Sequence, residues 1–306
     1  MEFRTTFSLP ETPQRIQHGD KIISLGSCFS ENMGEKLRYF GWNVLNNPFG
    51  TLFHPLAIAN LLLNAIYDDK KARICQKETL FYTYEAHSAI VGKTAEELQN
   101  RFHEKQDELI NKLNESDWLI VTFGSAWAYL LEGEIVANCH KQPQSLFTKE
   151  LTELTELQIV WRTTIRLLKD KFPRLKLIFS LSPVRHIKDG VIENQRSKAR
   201  LVELIHSLDG YYFPAYELVM DDLRDYRFYA RDKVHPSSEA IDYIFESFSQ
   251  SCIDKNSTVL FPEINQLRKE EQHRSLSGES EAFENFVQKH QLKKSDFLAR
   301  YPNLNW

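Results

Sequence analysis

The chain has 306 residues, 42% of them hydrophobic and 12% aromatic, which is ample for a substantial buried core. Charged residues make up 26% and the formal net charge is −4, so composition excludes a basic nucleic-acid footprint and an acidic disordered protein. With only 11 glycines a phosphate-cradling Gly-rich protein is disfavoured, and the four cysteines (Cys28, Cys75, Cys139, Cys252) form no C-x-x-C pair.

The opening MEFRTTFSLPETPQRIQ carries no apolar signal-peptide core, and no later run approaches transmembrane length. The expected setting is a reducing cytoplasm with free thiols and no membrane partner.

Five short apolar runs of β-type composition recur along the chain: KIISL (21–25), WNVL (42–45), WLIVTF (118–123), KLIFSL (176–181) and YYF (211–213). Runs apolar on both faces suit strands of a parallel sheet covered by helices. Helical patterns lie between and after them, over 30–40, 56–66, 95–113, 153–171, 193–206 and 238–248. Thr94 and Glu97 stand at capping-box spacing, and Gly41 is a natural left-handed stop for the first helix. Two antiparallel insertions interrupt the alternation, at 79–91 and at 128–138, the second turning at Glu132-Gly133. The pattern predicts an α/β fold with a doubly wound parallel sheet, whose functional edge is the carboxyl end of its strands. From about Lys255 the chain turns polar and helix-prone. It divides into a main α/β domain over 1–254 and a C-terminal helical extension over 255–306, a surface for a partner or a second copy. Within the extension, LRKEEQHR (267–274) reads as a solvated helix face.

The chemistry-bearing residues stand at the two ends of the core. The first strand runs into Gly26-Ser27-Cys28-Phe29-Ser30 and a helix follows at once, which exposes a hydroxyl to helix amides at the sheet's carboxyl edge. That signal alone is also what a turn and an N-cap look like. Far downstream, Asp232-Lys233-Val234-His235-Pro236 is the only Asp-x-x-His among the ten histidines. An aspartate can orient an imidazole, and the imidazole can take and return a serine proton.

Together these residues resemble the GSCFA family, whose signature Gly26-Ser27-Cys28-Phe29-Ser30 matches except for Ser30 in place of alanine. The Asp232-x-x-His235 block resembles the last block of SGNH/GDSL hydrolases, to which GSCFA proteins look related. Further matching stretches are FGSAWAY (123–129), NCHK (138–141), SPVRH (182–186), ENQRSKARL (193–201) and YFPAYE (212–217). The resemblance implies a three-layer α/β/α flavodoxin-like fold and a Ser27–His235–Asp232 hydrolase. The histidines and cysteines lack zinc spacing and the first strand–helix turn carries no nucleotide fingerprint, so no metal or organic cofactor is expected. The superfamily's Gly-x-Asn-Asp is replaced here by Gly124-Ser125-Ala126-Trp127. Oxyanion donors are therefore expected from the Gly50 amide and from Asn138, beyond the hairpin.

Arg185, His186 and His140 are the expected substrate contacts, with Asn46 and Asn47 on a neighbouring loop and Trp127 and Tyr129 nearby. Such groups hydrogen-bond hydroxyls and stack on a sugar face, which suits a small acyl ester, acetyl above all, of a carbohydrate-like alcohol. Acyl transfer by the same residues, and a catalytically silent binding or assembly protein, are the alternatives. Cys28 beside Ser27 is read as a packing thiol, and His54 as a packed loop histidine.

Overall fold

The computed structural model describes residues 5–272 and 281–306. Its strands are β1 (Lys21–Gly26), β2 (Asn43–Asn46), β3 (Ile74–Lys77), β4 (Leu80–Thr83), β5 (Val91–Gly92), β6 (Trp118–Phe123), β7 (Trp127–Leu131), β8 (Glu134–Val136), β9 (Phe147–Leu151), β10 (Lys176–Leu181) and β11 (Tyr211–Phe213). The helices are α1 (Cys28–Tyr39), α2 (Pro55–Tyr67), α3 (Ala95–Glu115), α4 (Leu154–Lys171), α5 (Val191–His206), the short α6 (Ala215–Glu217), α7 (Ser238–Cys252), α8 (Lys255–Thr258), α9 (Phe261–Gln272) and α10 (Glu281–Arg300).

The five apolar runs form one parallel sheet in the order β11-β10-β6-β1-β2. Counted along the chain, that is the 2-1-3-4-5 order of flavodoxin-like sheets, whose switch point lies between the first strand and the third. Here those are β1 and β6, and Ser27 directly follows β1.

Alternate residues of each strand feed two cores because side chains leave a strand on opposite faces. Ile23, Leu45, Leu119, Val121 and Phe179 pack against α2, α3, α4 and α5. Ile22, Val44, Trp118, Ile120 and Ile178 pack against α1 and α7. The result is a three-layer α/β/α fold. The amphipathic α3 shows how the outer layer is written: Leu98, Phe102, Gln106, Leu109 and Leu113 are buried at three- and four-residue steps. Its N-cap departs slightly from the expected box. Thr94 Oγ1 accepts the Glu97 amide at 3.0 Å, but the Glu97 carboxylate reaches back to the Lys93 amide instead of that of Thr94.

The insertions are antiparallel as expected, β3-β4-β5 in one sheet and β8-β7-β9 in the other, each with one strand outside the expected bounds, β3 before 79–91 and β9 after 128–138. The C-terminal helices are not a separate body. Leu260, Ile264, Leu267 and Phe297 are buried in the same core as α1 and α7. The expected solvated face over 267–274 is corrected accordingly. Leu267 is buried, the Arg268 guanidinium lies 3.9 Å from the Trp306 ring centre, and Glu270 pairs with His290 and Lys293. Residues 273–280 lie outside the described residues. No helix among the described residues is long and apolar enough to cross a membrane.

Candidate active site

Ser27 is the N-cap of α1, with extended backbone and its Oγ accepting the Phe29 amide at 3.3 Å. Gly26 makes this junction possible. Its φ is +143°, and a Cβ there would sit 2.2 Å from the Thr122 carbonyl oxygen of β6. Asn47 latches the loop from the other side, its Oδ1 accepting the Gly26 amide at 2.8 Å. Ser27 is fully buried, and its hydroxyl donates to Ser182 Oγ at 3.0 Å.

Asp232 and His235 form a pair with side chains about half exposed: Asp232 Oδ2 lies 2.6 Å from His235 Nδ1. The other carboxylate oxygen accepts the amides of Val234 and His235 at 2.9 and 3.0 Å. These two amides, and then the imidazole, hold the Asp232 carboxyl well below the usual carboxylate range. An ionised Asp232 fixes the proton on Nδ1 and leaves Nε2 as the acceptor. The turn is closed by Ala230 donating its amide to the His235 carbonyl at 2.8 Å. No hydrogen bond links His235 to Ser27 in this state.

Several expected contacts have other work. Arg185 grips the Asp232–His235 turn: Nη2 donates to the Lys233 carbonyl at 2.5 Å, and the guanidinium stacks 4.9 Å from the Tyr229 ring. His140 is 3% exposed with both ring nitrogens engaged, Nδ1 with Ser88 Oγ at 3.0 Å and Nε2 with the Thr83 carbonyl at 2.7 Å, so it ties the two insertions together and has no nitrogen left for substrate. The Gly50 amide donates to the Asn47 carbonyl at 2.8 Å and is not an available oxyanion donor. Asn46 bonds the α1 backbone at Glu31, and Asn47 is buried in the latch described above. Asn138 lines the cleft described below; its Oδ1 accepts the His140 amide at 2.8 Å, which leaves its amino group to offer. Cys28 is half-buried, and burial pushes its thiol up, away from the reactive thiolate.

His186, by contrast, keeps a ring nitrogen unengaged. Burial holds it down to about 4, so the ring is neutral, and its Nε2 is buried without a partner. It lines a cleft of about 630 Å³ together with Phe53, Ser125, Trp127, Asn138 and Lys149. A groove of similar size along α1, α7 and α9 contains none of the predicted site residues, and the chemistry points to the cleft at the strand ends. Lys149 Nζ lies 5.2 and 5.3 Å from the Trp127 and Tyr129 ring centres and pairs with Asp189. Ser27, Asp232 and His235 are not among the cleft's lining residues.

Sequence reasoning missed Ser182 and the polar face of α5. Asn194 Oδ1 accepts the His186 amide at 2.9 Å, Ser197 Oγ accepts the Ala126 amide at 2.8 Å, and Lys198 reaches the carbonyls of Gly124 and Ser182. The signal was present as Asn194, Ser197 and Lys198 at three- and four-residue steps on the face that also carries Leu201 and Leu204, all of them buried. Polar residues on the buried stripe of a helix need partners, and here the partners are site loops.

A search of curated proteins finds no match. The model of the GSCFA family matches residues 21–248, from the first residue of β1 into α7 and therefore across both halves of the site. The chain belongs to the GSCFA family.

Proposed function

We propose that this protein is a serine hydrolase of the esterase type, and the observation that carries the reading is the Asp232–His235 pair, on a turn that Arg185 ties to the loop after β10 whose Ser182 bonds Ser27. In the reaction, the Ser27 hydroxyl turns from Ser182 towards His235 and attacks the ester carbonyl as Nε2 takes its proton. The positive end of α1 faces the charge that develops on the carbonyl oxygen. The imidazolium, held by Asp232, returns the proton to the departing alcohol, leaving acyl-Ser27. Water then restores the serine; a sugar hydroxyl in its place makes the same chemistry an acyl transfer. Because Ser27 is covered, the covering side chains must move as substrate enters.

The cleft supports a hydrophilic alcohol. Trp127 and Tyr129 offer aromatic faces, and His186, Asn138 and Lys149 offer polar groups around them. A short acyl group such as acetyl fits this reading, as does a cytoplasmic setting in which the four unpaired cysteines persist as thiols. A second reading, a catalytically silent assembly protein related in fold to SGNH hydrolases, is favoured by one observation: Ser27 is fully buried and bonded to Ser182. Labelling with a fluorophosphonate, followed by mass-spectrometric location of the adduct, separates the two. An adduct on Ser27 supports the hydrolase, and none at any serine supports the silent protein.

A further inference from the structure

We propose that Lys198 is the positioning residue of the Ser27 centre, clamping the strand ends that hold Ser182, the nucleophile's hydrogen-bond partner. The proposal rests on the hydrolase reading above and adds a residue that this reading does not use.

Lys198 is 1% exposed, on the same buried face of α5 as Leu201 and Leu204. An ammonium in such a place carries a desolvation penalty that only satisfied donors offset, so packing alone would favour an apolar residue. Its Nζ donates to the Gly124 carbonyl at 2.9 Å and the Ser182 carbonyl at 2.7 Å. Those carbonyls lie just past β6 and β10, beyond the last paired residues of the two strands, where the parallel ladder no longer supplies a donor. The Tyr216 ring covers another side at 5.4 Å. Burial opposes the charged amine and holds the group down to about 7, while the Glu217 carboxylate of α6 favours the charge. His186 feels the same charge and is disfavoured as a cation. Charged or neutral, the amine retains at least two N–H groups, so the clamp on two carbonyls survives across the neutral range.

The consequence falls on Ser182. Its amide donates to the Phe123 carbonyl at 2.9 Å, its carbonyl is held by Lys198, and its Oγ accepts from Ser27 at 3.0 Å. With both ends of the residue pinned and its Oγ also accepting the Val184 amide at 3.4 Å, the Ser182 hydroxyl holds the Ser27 Oγ in place while the Ser27 proton swings to His235. Lys198 acts through Ser182. Release of the clamp lets the turn relax, and a misplacement of about 1 Å at a reacting group costs about 100-fold in rate.

The test compares wild type, Lys198→Met, Lys198→Gln, Ser182→Ala and the Lys198→Met/Ser182→Ala double variant, each checked for folding by circular dichroism. The readouts are the fluorophosphonate labelling rate of Ser27 per folded molecule and the kcat and KM for an aryl acetate. Lys198→Met is expected to label about 100-fold more slowly, with kcat reduced to match and KM unchanged. Ser182→Ala should show a comparable loss, and the double variant little more than either single one, because the two residues act in series. If wild type is not labelled at Ser27, the hydrolase reading itself fails. If wild type is labelled and Lys198→Met is labelled equally fast, the clamp alone is overturned. Should Lys198→Met not fold, Lys198→Gln decides by the same criterion; if neither folds, the lysine serves folding only and the proposal fails.

Discussion

The Ser27 hydroxyl donates to Ser182 Oγ at 3.0 Å while accepting the Phe29 amide at 3.3 Å, so one side chain is both the cap of α1 and the proposed nucleophile. Ser27→Ala should therefore have two effects. Labelling and ester turnover should vanish, and stability should fall by about 1 kcal/mol from the lost cap. Cys28→Ala should keep most of the labelling, because burial leaves that thiol protonated. Retained labelling in Ser27→Ala, with loss in Cys28→Ala, would reverse the assignment.

Gly26→Ala is expected to be more damaging to the fold than Ser27→Ala. The new methyl would meet the Thr122 carbonyl at 2.2 Å, at a φ of +143°. A cost of at least about 2 kcal/mol follows, visible as a lowered urea midpoint. A midpoint equal to that of wild type would mean that the β1–α1 junction is not built as described.

Asp232 holds the His235 ring in one tautomer, and Arg185 holds the turn that carries both. Asp232→Asn should preserve the fold and lower kcat by about 10³–10⁴, the effect of an imidazole presented with the wrong nitrogen. Arg185→Ala should cost less and act mainly on kcat, since its guanidinium grips the Lys233 carbonyl. A variant with raised KM and unchanged kcat would instead make Arg185 a substrate contact.

Stability should decline on mild acidification because of two buried histidines. Burial holds His54 and His186 down to about 4, against an ordinary 6.5. Between those values the unfolded chain binds protons that the native state refuses, so stability is full above pH 6.5 and is lost as pH falls towards 4. Each histidine contributes a slope of at most about 1.4 kcal/mol per pH unit. His54→Gln, measured by urea unfolding from pH 7 to 4.5, should remove about one proton from that slope; an undiminished slope would show that His54 is not the titrating group.

Across a series of aryl esters, rates should fall steeply beyond butyrate, because His186, Asn138, Lys149 and Asp189 set polar groups among the aromatic faces of the cleft. Faster turnover of octanoate would make a lipid ester the better substrate class.

The layers of the fold were legible in local sequence. WLIVTF and KLIFSL read directly as central strands, and Glu132-Gly133 as a hairpin turn, because periodicity and turn residues record which faces a segment buries. The Gly26-Ser27 junction and the Asp232–His235 spacing were equally local, each carried within a few consecutive residues, and the family resemblance was a series of such short blocks along the core. What the tertiary structure alone decided was who meets whom across the chain. Ser27 finds Ser182, 155 positions away, and Lys198 finds Gly124, 74 away. His140 and Gly50 look like site residues in sequence, yet their polar atoms are engaged by Thr83, Ser88 and Asn47. A polar side chain's sequence states what it can donate or accept; its partner, and with it the side chain's role, is set only when packing brings distant backbone within about 3 Å.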